Sequence, residues 1–391
     1  MLWLAAGVLL LGQAAPDQKR VDEAIRRGIE FLKGADSPSA YNSDDPWFVP
    51  DSDELILLTL VAGDVEQGDP VFQKYLKRAL EEPLHKNYKV CLQAMALEEI
   101  DRATHQGRIG QCAQHLVDNI CQNGQWGYGN PSPAQKGVPT GGRKGVSSGG
   151  VRDYGSSGGG RVKPPPNSKI SISQTRFGGE SGDNSNSQYA ALGLRACHDA
   201  NVVVPRAVIG LARKWWESAL QMDKERDNKV ATGAAVSVPP GGWGYRLAHN
   251  KEPYASMTAG ATGALVIYDY ILEKDWKKDP IVNAGLSWMA ANFSVDENRG
   301  GPSHGGKGPK SWLYYYLYAL ERLGVLYDVE TIGGHNWYAE GAKDLLAAQK
   351  PNGSWDESHY KKPAWDTCFA ILFLKKATRP LVASEDRARP K

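Results

Sequence analysis

The residues best suited to chemistry in this chain stand where apolar helical stretches begin. Asp53, Asn184, Asn186, Ser256, Thr258, Trp312, Tyr315 and Asp366 open such stretches, and Trp126, Tyr128, Trp243 and Tyr245 lie on the segments leading into them. Amides, hydroxyls and phenols beside helix N-termini make a positively poised, hydrogen-bonding surface that suits an anionic or polar head group. Aromatic faces below such a surface suit an apolar tail, so the combination fits an amphiphile such as a polyprenyl phosphate. A plainer use competes with this one. Asp51, Ser52 and Asp53 precede an apolar helix, where they would cap its exposed N–H groups. No Gly-x-Ser-x-Gly elbow, P-loop or His-Glu-x-x-His motif occurs. Carboxylate pairs for glycosidic cleavage meet in space rather than in sequence, so spacing does not decide them.

The elements that must position these residues are helices. Apolar positions recur with helical period and alternating strand patterns are nearly absent, which predicts about twelve helices in pairs. The spacing predicts 21–33 with 53–62, 70–82 with 88–100, 108–122 with 184–199, 205–221 with 256–272, 280–293 with 310–323, and 336–349 with 364–376. In each pair the first helix is amphipathic and charged, as in Arg26-Arg27-Gly28-Ile29-Glu30. The second is apolar nearly all round, as in Leu55-Ile56-Leu57-Leu58-Thr59-Leu60. A helix apolar on every face is buried, so the second helices form an inner ring and the first an outer one. The expected fold is all-α, a single α6/α6 toroid of six helical hairpins over 20–380, with the inner N-termini converging on one mouth.

The chain is also repetitive. Leu345-Leu346-Ala347-Ala348-Gln349-Lys350-Pro351-Asn352-Gly353-Ser354-Trp355 ends a helix in Gln and continues to Gly-x-Trp. Cys121-Gln122-Asn123-Gly124-Gln125-Trp126 is a second copy, and Pro240-Gly241-Gly242-Trp243 a third without the Gln. Arg27-Gly28-Ile29-Glu30-Phe31-Leu32 and Ala284-Gly285-Leu286-Ser287-Trp288-Met289 keep only the front half. One such unit cannot bury its apolar face alone and must stack on its neighbours. Twelve Trp and 17 Tyr against 7 Phe suit repeat junctions or a lined cavity, since both carry an apolar face with a polar handle.

These Gln-x-x-x-Gly-x-Trp endings, preceded by Gly-x-x-aromatic-Leu, resemble the QW-like repeats of squalene and oxidosqualene cyclases and of protein prenyltransferase β subunits. The resemblance covers 21–377. It implies an α/α barrel in which Gln349 with Trp355, and Gln122 with Trp126, tie an outer helix to the following inner one. Squalene-type cyclases protonate an alkene with the middle Asp of Asp-x-Asp-Asp. Asp51-Ser52-Asp53-Glu54 resembles that motif, which would make Asp53 the acid and Asp51 and Glu54 its neighbours. Those cyclases enclose their substrate with two barrels, and this chain has material for one. Prenyltransferases bind zinc through Asp-x-Cys and a later His. Asp366-Thr367-Cys368 matches the pair, but no repeat follows to supply the His, which leaves His335 or His359 by a fold-back. The competing reading makes Asp366 an N-cap and Cys368 a core residue, so no cofactor is expected.

The remaining sequence sets the context. Residues 2–11 are apolar and Gly12-Gln13-Ala14-Ala15 offers small residues, which reads as a signal peptide over 1–15 and an exported protein. Five Cys are too few for a disulfide framework. A net charge of +2 gives no argument for nucleic acid. Residues 131–183 form a Gly, Ser and Pro-rich insertion without periodicity, expected to be a mobile loop. Its 131–176 part holds eight Lys or Arg against Asp153 alone, which offers contact to an anionic surface. Residues 381–391 read as a disordered tail.

The favoured reading is therefore a secreted toroid that binds an isoprenoid-like or otherwise amphipathic ligand, with terpene-cyclase-like turnover as its enzymatic form. The expected ligand contacts are Asn184, Asn186, Tyr245, Ser256, Trp312, Tyr315, Trp126, Tyr128 and Asp366. The alternatives are a non-catalytic protein-interaction scaffold and a carbohydrate-active enzyme on an α/α barrel.

Overall fold

Among the described residues twelve α-helices follow one another, and their burial alternates as the sequence pattern requires. In the computed structural model the described residues are 16–34, 53–138, 166, 169–223, 230–231, 237–246, 252–300, 310–356 and 363–381. The outer helices are α1 (Gln18–Gly34), α3 (Pro70–Glu81), α5 (Gln106–Asp118), α7 (Arg206–Ser218), α9 (Pro280–Ala291) and α11 (Trp337–Ala348). The inner helices are α2 (Asp53–Ala62), α4 (Asn87–Asp101), α6 (Asn184–Asp199), α8 (Ala255–Ile271), α10 (Leu313–Tyr327) and α12 (Pro363–Leu374). Starts are encoded locally. Asp69 and Asp279 each accept two backbone N–H groups at the head of a helix with Pro in its first turn, and Asp183 and Asn336 cap α6 and α11.

The inner helices pack in sequence, α2 on α4, α4 on α6, α6 on α8, α8 on α10 and α10 on α12, and α12 returns to α2. The ring is closed, and the chain is an all-α, α6/α6 toroid. Every residue of α8 is buried, whereas α1 buries only the stripe Val21, Ala24, Ile25, Gly28, Ile29 and Leu32. Tyr88, Tyr189 and Tyr315, near the starts of α4, α6 and α10, pack together. Ala62, Glu99, Asp199 and Ala377, at or just beyond the ends of α2, α4, α6 and α12, share one cavity. These inner helices therefore run in one direction.

The Gly-x-Trp segments are the seams. The indole Nε1 of Trp126, Trp243 and Trp355 donates to the carbonyl of Leu116, Trp216 and Leu345 on the outer helix just ended, at 2.8, 2.7 and 2.8 Å. The backbone N–H of the same residues donates to the hydroxyl of Ser187, Thr258 and Thr367 on the inner helix that follows, at 3.0, 3.1 and 3.0 Å. All three tryptophans are wholly buried. The half-copies complete them, because a Cβ on Gly28 would meet the Trp355 ring and one on Gly285 the Trp243 ring. Gly124 and Gly353 take left-handed φ of +93° and +88° with their Cα faces on carbonyls of α7 and α1, where no side chain fits.

The glutamines need correction. Gln349 Nε2 donates to Ala24 O, 2.8 Å away on α1, so it ties one outer helix to another and closes the ring. Gln122 is exposed, and the buried Gln125 does the tying by donating to Asn184 Oδ1 at 3.0 Å. Helix α5 stops at Asp118 rather than at 122, because Ile120 pairs with Trp126. Trp312 adopts φ 60°, which delays α10 to Leu313.

The described ends of the insertion are tied to the barrel. Pro133–Gly137 forms a 3₁₀ turn, and Ile170–Ser171 pairs in parallel with Val202–Val203. Thr175 N donates to Asp118 Oδ1 at 2.7 Å, and Arg176 Nη2 donates to the carbonyls of Asn130 and Pro131 at 2.9 and 2.7 Å. Arg176 is thereby spent internally, while Lys136 and Lys169 remain exposed. The expected signal peptide, Asp51, His359, the middle of the insertion and residues 382–391 lie outside the described residues. Among the described residues no helix is long and apolar enough to cross a membrane.

Candidate functional site

The mouth at the inner N-termini is built by Asp183, the residue before α6. Its Oδ1 accepts from Asn186 N and Ser185 Oγ, both at 2.8 Å, and its Oδ2 accepts from Asn186 Nδ2 at 2.9 Å. This turns Ser185 toward the Tyr245 hydroxyl, 3.5 Å away. Asn184 faces outward instead. Its Oδ1 accepts from Gln125 Nε2 and Trp215 Nε1, and its Nδ2 donates to Gly244 O, so it clips the 241–246 segment to the barrel. Ser256 is engaged with Asn298 through both its N–H and its hydroxyl.

Below the mouth the lumen is aromatic. Trp312 meets Tyr315 edge-on at 6.2 Å, Tyr315 stacks on Tyr189 at 6.0 Å, and Tyr189 lies 4.7 Å from Tyr88. Phe369 touches Tyr315 and Tyr318 at 5.7 and 5.9 Å. Burial pushes the phenols of Tyr88, Tyr189 and Tyr315 above their ordinary value, so all three stay protonated at neutral pH.

At the centre of this wall lies a guanidinium. Arg322 is 3% exposed; its Nη2 donates to Gln188 Oε1 at 2.7 Å, and its plane lies 4.4 and 5.2 Å from the Tyr318 and Tyr189 ring centroids. Among the described residues no carboxylate comes within ion-pair distance of it.

The opposite end is covered. Thr378 donates through its N–H and hydroxyl to Glu321 at 3.0 and 2.7 Å, Arg379 pairs with Glu99, and Arg195 donates to Pro380 O. Burial pushes the Glu321 carboxyl up to about 7. A cavity of about 50 Å³ beneath this segment is lined by Leu58, Met95, Leu192, Tyr318 and Thr378. A larger open groove of about 830 Å³ lies on the outside between α1 and the α2–α3 turn. Within it Lys33 pairs with Asp69 and Lys375 with Asp64, and it belongs to neither mouth.

Several expected site residues thus serve the scaffold. The Asp53 carboxylate turns outward to Arg78 of α3, 3.5 Å away. Glu54 is buried beside Lys89, which stands 3.8 Å off and gives its short 2.5 Å bond to Glu82; burial pushes the Glu54 carboxyl up to about 8. Each of the two acids thus faces a cation of a neighbouring helix. Trp126 is a seam residue, and Tyr128 offers its carbonyl to Asn87 N and its ring to Lys86. Asp366 is buried in the first turn of α12. Cys368 is packed against Thr59 with its thiol pushed up to about 12 by burial, and among the described residues no group of His, Cys, Asp or Glu is arranged to hold a metal. The lumen gathers Tyr315, Trp312 and, at its rim, Tyr245, together with Tyr88, Ser185, Gln188, Tyr189 and Arg322, which the sequence reading passed over. A signal was present: an arginine in an apolar helix, with Tyr315 and Tyr318 on the same face at helical spacing.

No family model and no curated protein matches the chain. Among solved structures it is similar to the type II terpene cyclase MstE from Scytonema in its apo form, at 10% identity over 93% of this chain and 99% of that one, with a TM-score of 0.34. It is similar at 11% identity to a variant of that cyclase in complex with its product, merosterolic acid A, over 92% of this chain and 97% of that one, with the same score. Similarity at this level assigns no role to any residue here.

Proposed function

We propose that this protein binds an isoprenoid-like or otherwise amphipathic molecule in the lumen of the toroid, with the inner-helix N-termini at the polar end. The observation that carries the reading is the continuous run of aromatic faces from Trp312 at the mouth through Tyr315, Tyr88 and Tyr189 to Tyr318 and Phe369. A repeat barrel needs only aliphatic filling for stability; phenols and an indole set in series offer apolar contact with polar edges, as ligand pockets do. Binding is favoured over alkene protonation. Asp53 is held by Arg78, Glu54 lies beside Lys89, and Arg322 already covers the Tyr189 and Tyr318 faces that a developing cation would need.

Titration of the purified chain with geranylgeraniol, followed by tryptophan fluorescence and native mass spectrometry, tests this reading. One molecule bound per chain is expected, with affinity reduced about tenfold by Tyr315→Ala, which removes one buried aromatic contact. Absence of a saturable 1:1 complex, or equal affinity in the variant, would count against it.

A further inference from the structure

Arginine keeps its charge at any pH a folded protein meets, so a buried guanidinium needs a counter-charge or a full set of acceptors. Arg322 has neither. One nitrogen reaches Gln188, two tyrosine faces flank the plane, and Nη1 is buried without a hydrogen-bond partner. The hydroxyls of Tyr189 and Tyr315 are also buried and make no hydrogen bond of good geometry, with Arg322 as the neighbour of the first and Tyr88 of the second. Buried polar atoms are nearly always satisfied, and here three in one cluster are not. All three can donate. The group that would satisfy them accepts hydrogen bonds through more than one oxygen and carries one negative charge to balance the guanidinium.

We propose that the centre of the barrel is a carboxylate site, in which Arg322 Nη1 and the hydroxyls of Tyr189 and Tyr315 hold the head of a carboxylic acid. The inference rests on the binding reading above and narrows it from any amphiphile to an acid with an apolar tail along the aromatic wall. A phosphate dianion would leave one charge unbalanced in the same place. Gln188 is a positioning residue: its Oε1 accepts from Nη2 and leaves Nη1 without an acceptor from the protein.

The test uses the full chain and three probes with the same C20 isoprenoid tail: geranylgeranoic acid, geranylgeraniol and geranylgeranyl phosphate, each titrated calorimetrically at neutral pH. The acid is expected to bind about tenfold or more tighter than the alcohol, the effect of a charge-assisted hydrogen bond. Arg322→Met is expected to bring the ratio of acid to alcohol affinity down to about one and to raise the melting temperature of the ligand-free protein. A fall in melting temperature with the acid preference retained would make Arg322 a packing residue and overturn the site. Should that variant fail to fold, the Tyr189→Phe, Tyr315→Phe double variant removes only the hydroxyls and is expected to erase most of the acid preference. Equal binding of acid and alcohol by the unaltered protein overturns the carboxylate site and leaves amphiphile binding standing. No binding of any probe overturns both readings, and tighter binding of the phosphate overturns the assignment of the head group.

Discussion

The three Gly-x-Trp seams and the lumen use aromatic side chains with polar edges to opposite ends. In a seam the tryptophan is wholly buried, its indole and backbone N–H both find acceptors, and the receiving hydroxyl comes from the next inner helix. In the lumen, Tyr189 and Arg322 are nearly as deeply buried and Tyr315 is partly buried, yet each keeps a buried atom without a hydrogen bond of good geometry. A satisfied buried network fixes a fold, whereas an unsatisfied one is costly unless something else completes it. The contrast separates residues that build the toroid from residues that give it a use.

The largest effect that would break this contrast lies in the seams. Trp355→Ala removes a buried indole and its bond to the Leu345 carbonyl while keeping the backbone N–H bond to Thr367; a loss of about 3–5 kcal/mol is expected in urea denaturation, with Trp126→Ala comparable. Gly353→Ala comes next. It forces a left-handed residue against the Arg27 carbonyl and is expected to cost about 2–3 kcal/mol, seen as a lowered melting temperature. Thr367→Val keeps the shape and strands the Trp355 N–H, for about 1–2 kcal/mol, and Thr367→Ser should restore most of it. If the seam variants were instead silent in stability, the division between scaffold and site would fail.

A pH experiment sharpens the comparison at a buried polar group outside the lumen. Glu54 has one oxygen without a partner and a carboxyl pushed by burial from 4.5 up to about 8. The folded state therefore holds a proton that the unfolded state has released. The contribution of Glu54 to stability is most favourable below pH 4.5, falls as pH rises through that window, and levels off above about 8. Glu54→Gln mimics the protonated form. Its melting temperature relative to the unaltered protein should be higher at pH 9 than at pH 5; the reverse order would mean that Lys89 stabilises the ionised form.

Much of the fold was legible in the residues. The predicted α2 and α6 match the observed limits, Asp53–Ala62 and Asn184–Asp199, because two acids open the apolar run of α2 and Asp183 caps α6. The site was legible only in part. Asn184 and Asp53 have the types and positions of ligand contacts, but the turn of each helix about its own axis sends them outward, and Trp126, on the segment after α5, is taken up by the seam. Asn184 goes to Trp215, Trp126 to Leu116 and Asp53 to Arg78. One residue of displacement along a helix is a rotation of about 100°, so a polar residue at a mouth is not thereby in the lumen.

The sequence by itself determined the helices, their pairing into buried and exposed partners, and the repeated Gly-x-Trp junctions, because period, caps and the left-handed turn are local properties of the chain. Only the tertiary structure decided which side chains meet at the axis. Gln188 and Arg322 are 134 positions apart, and Tyr189 and Tyr315 nearly as far. Ring closure through α12 and α2 sets their distance, and no local rule encodes that.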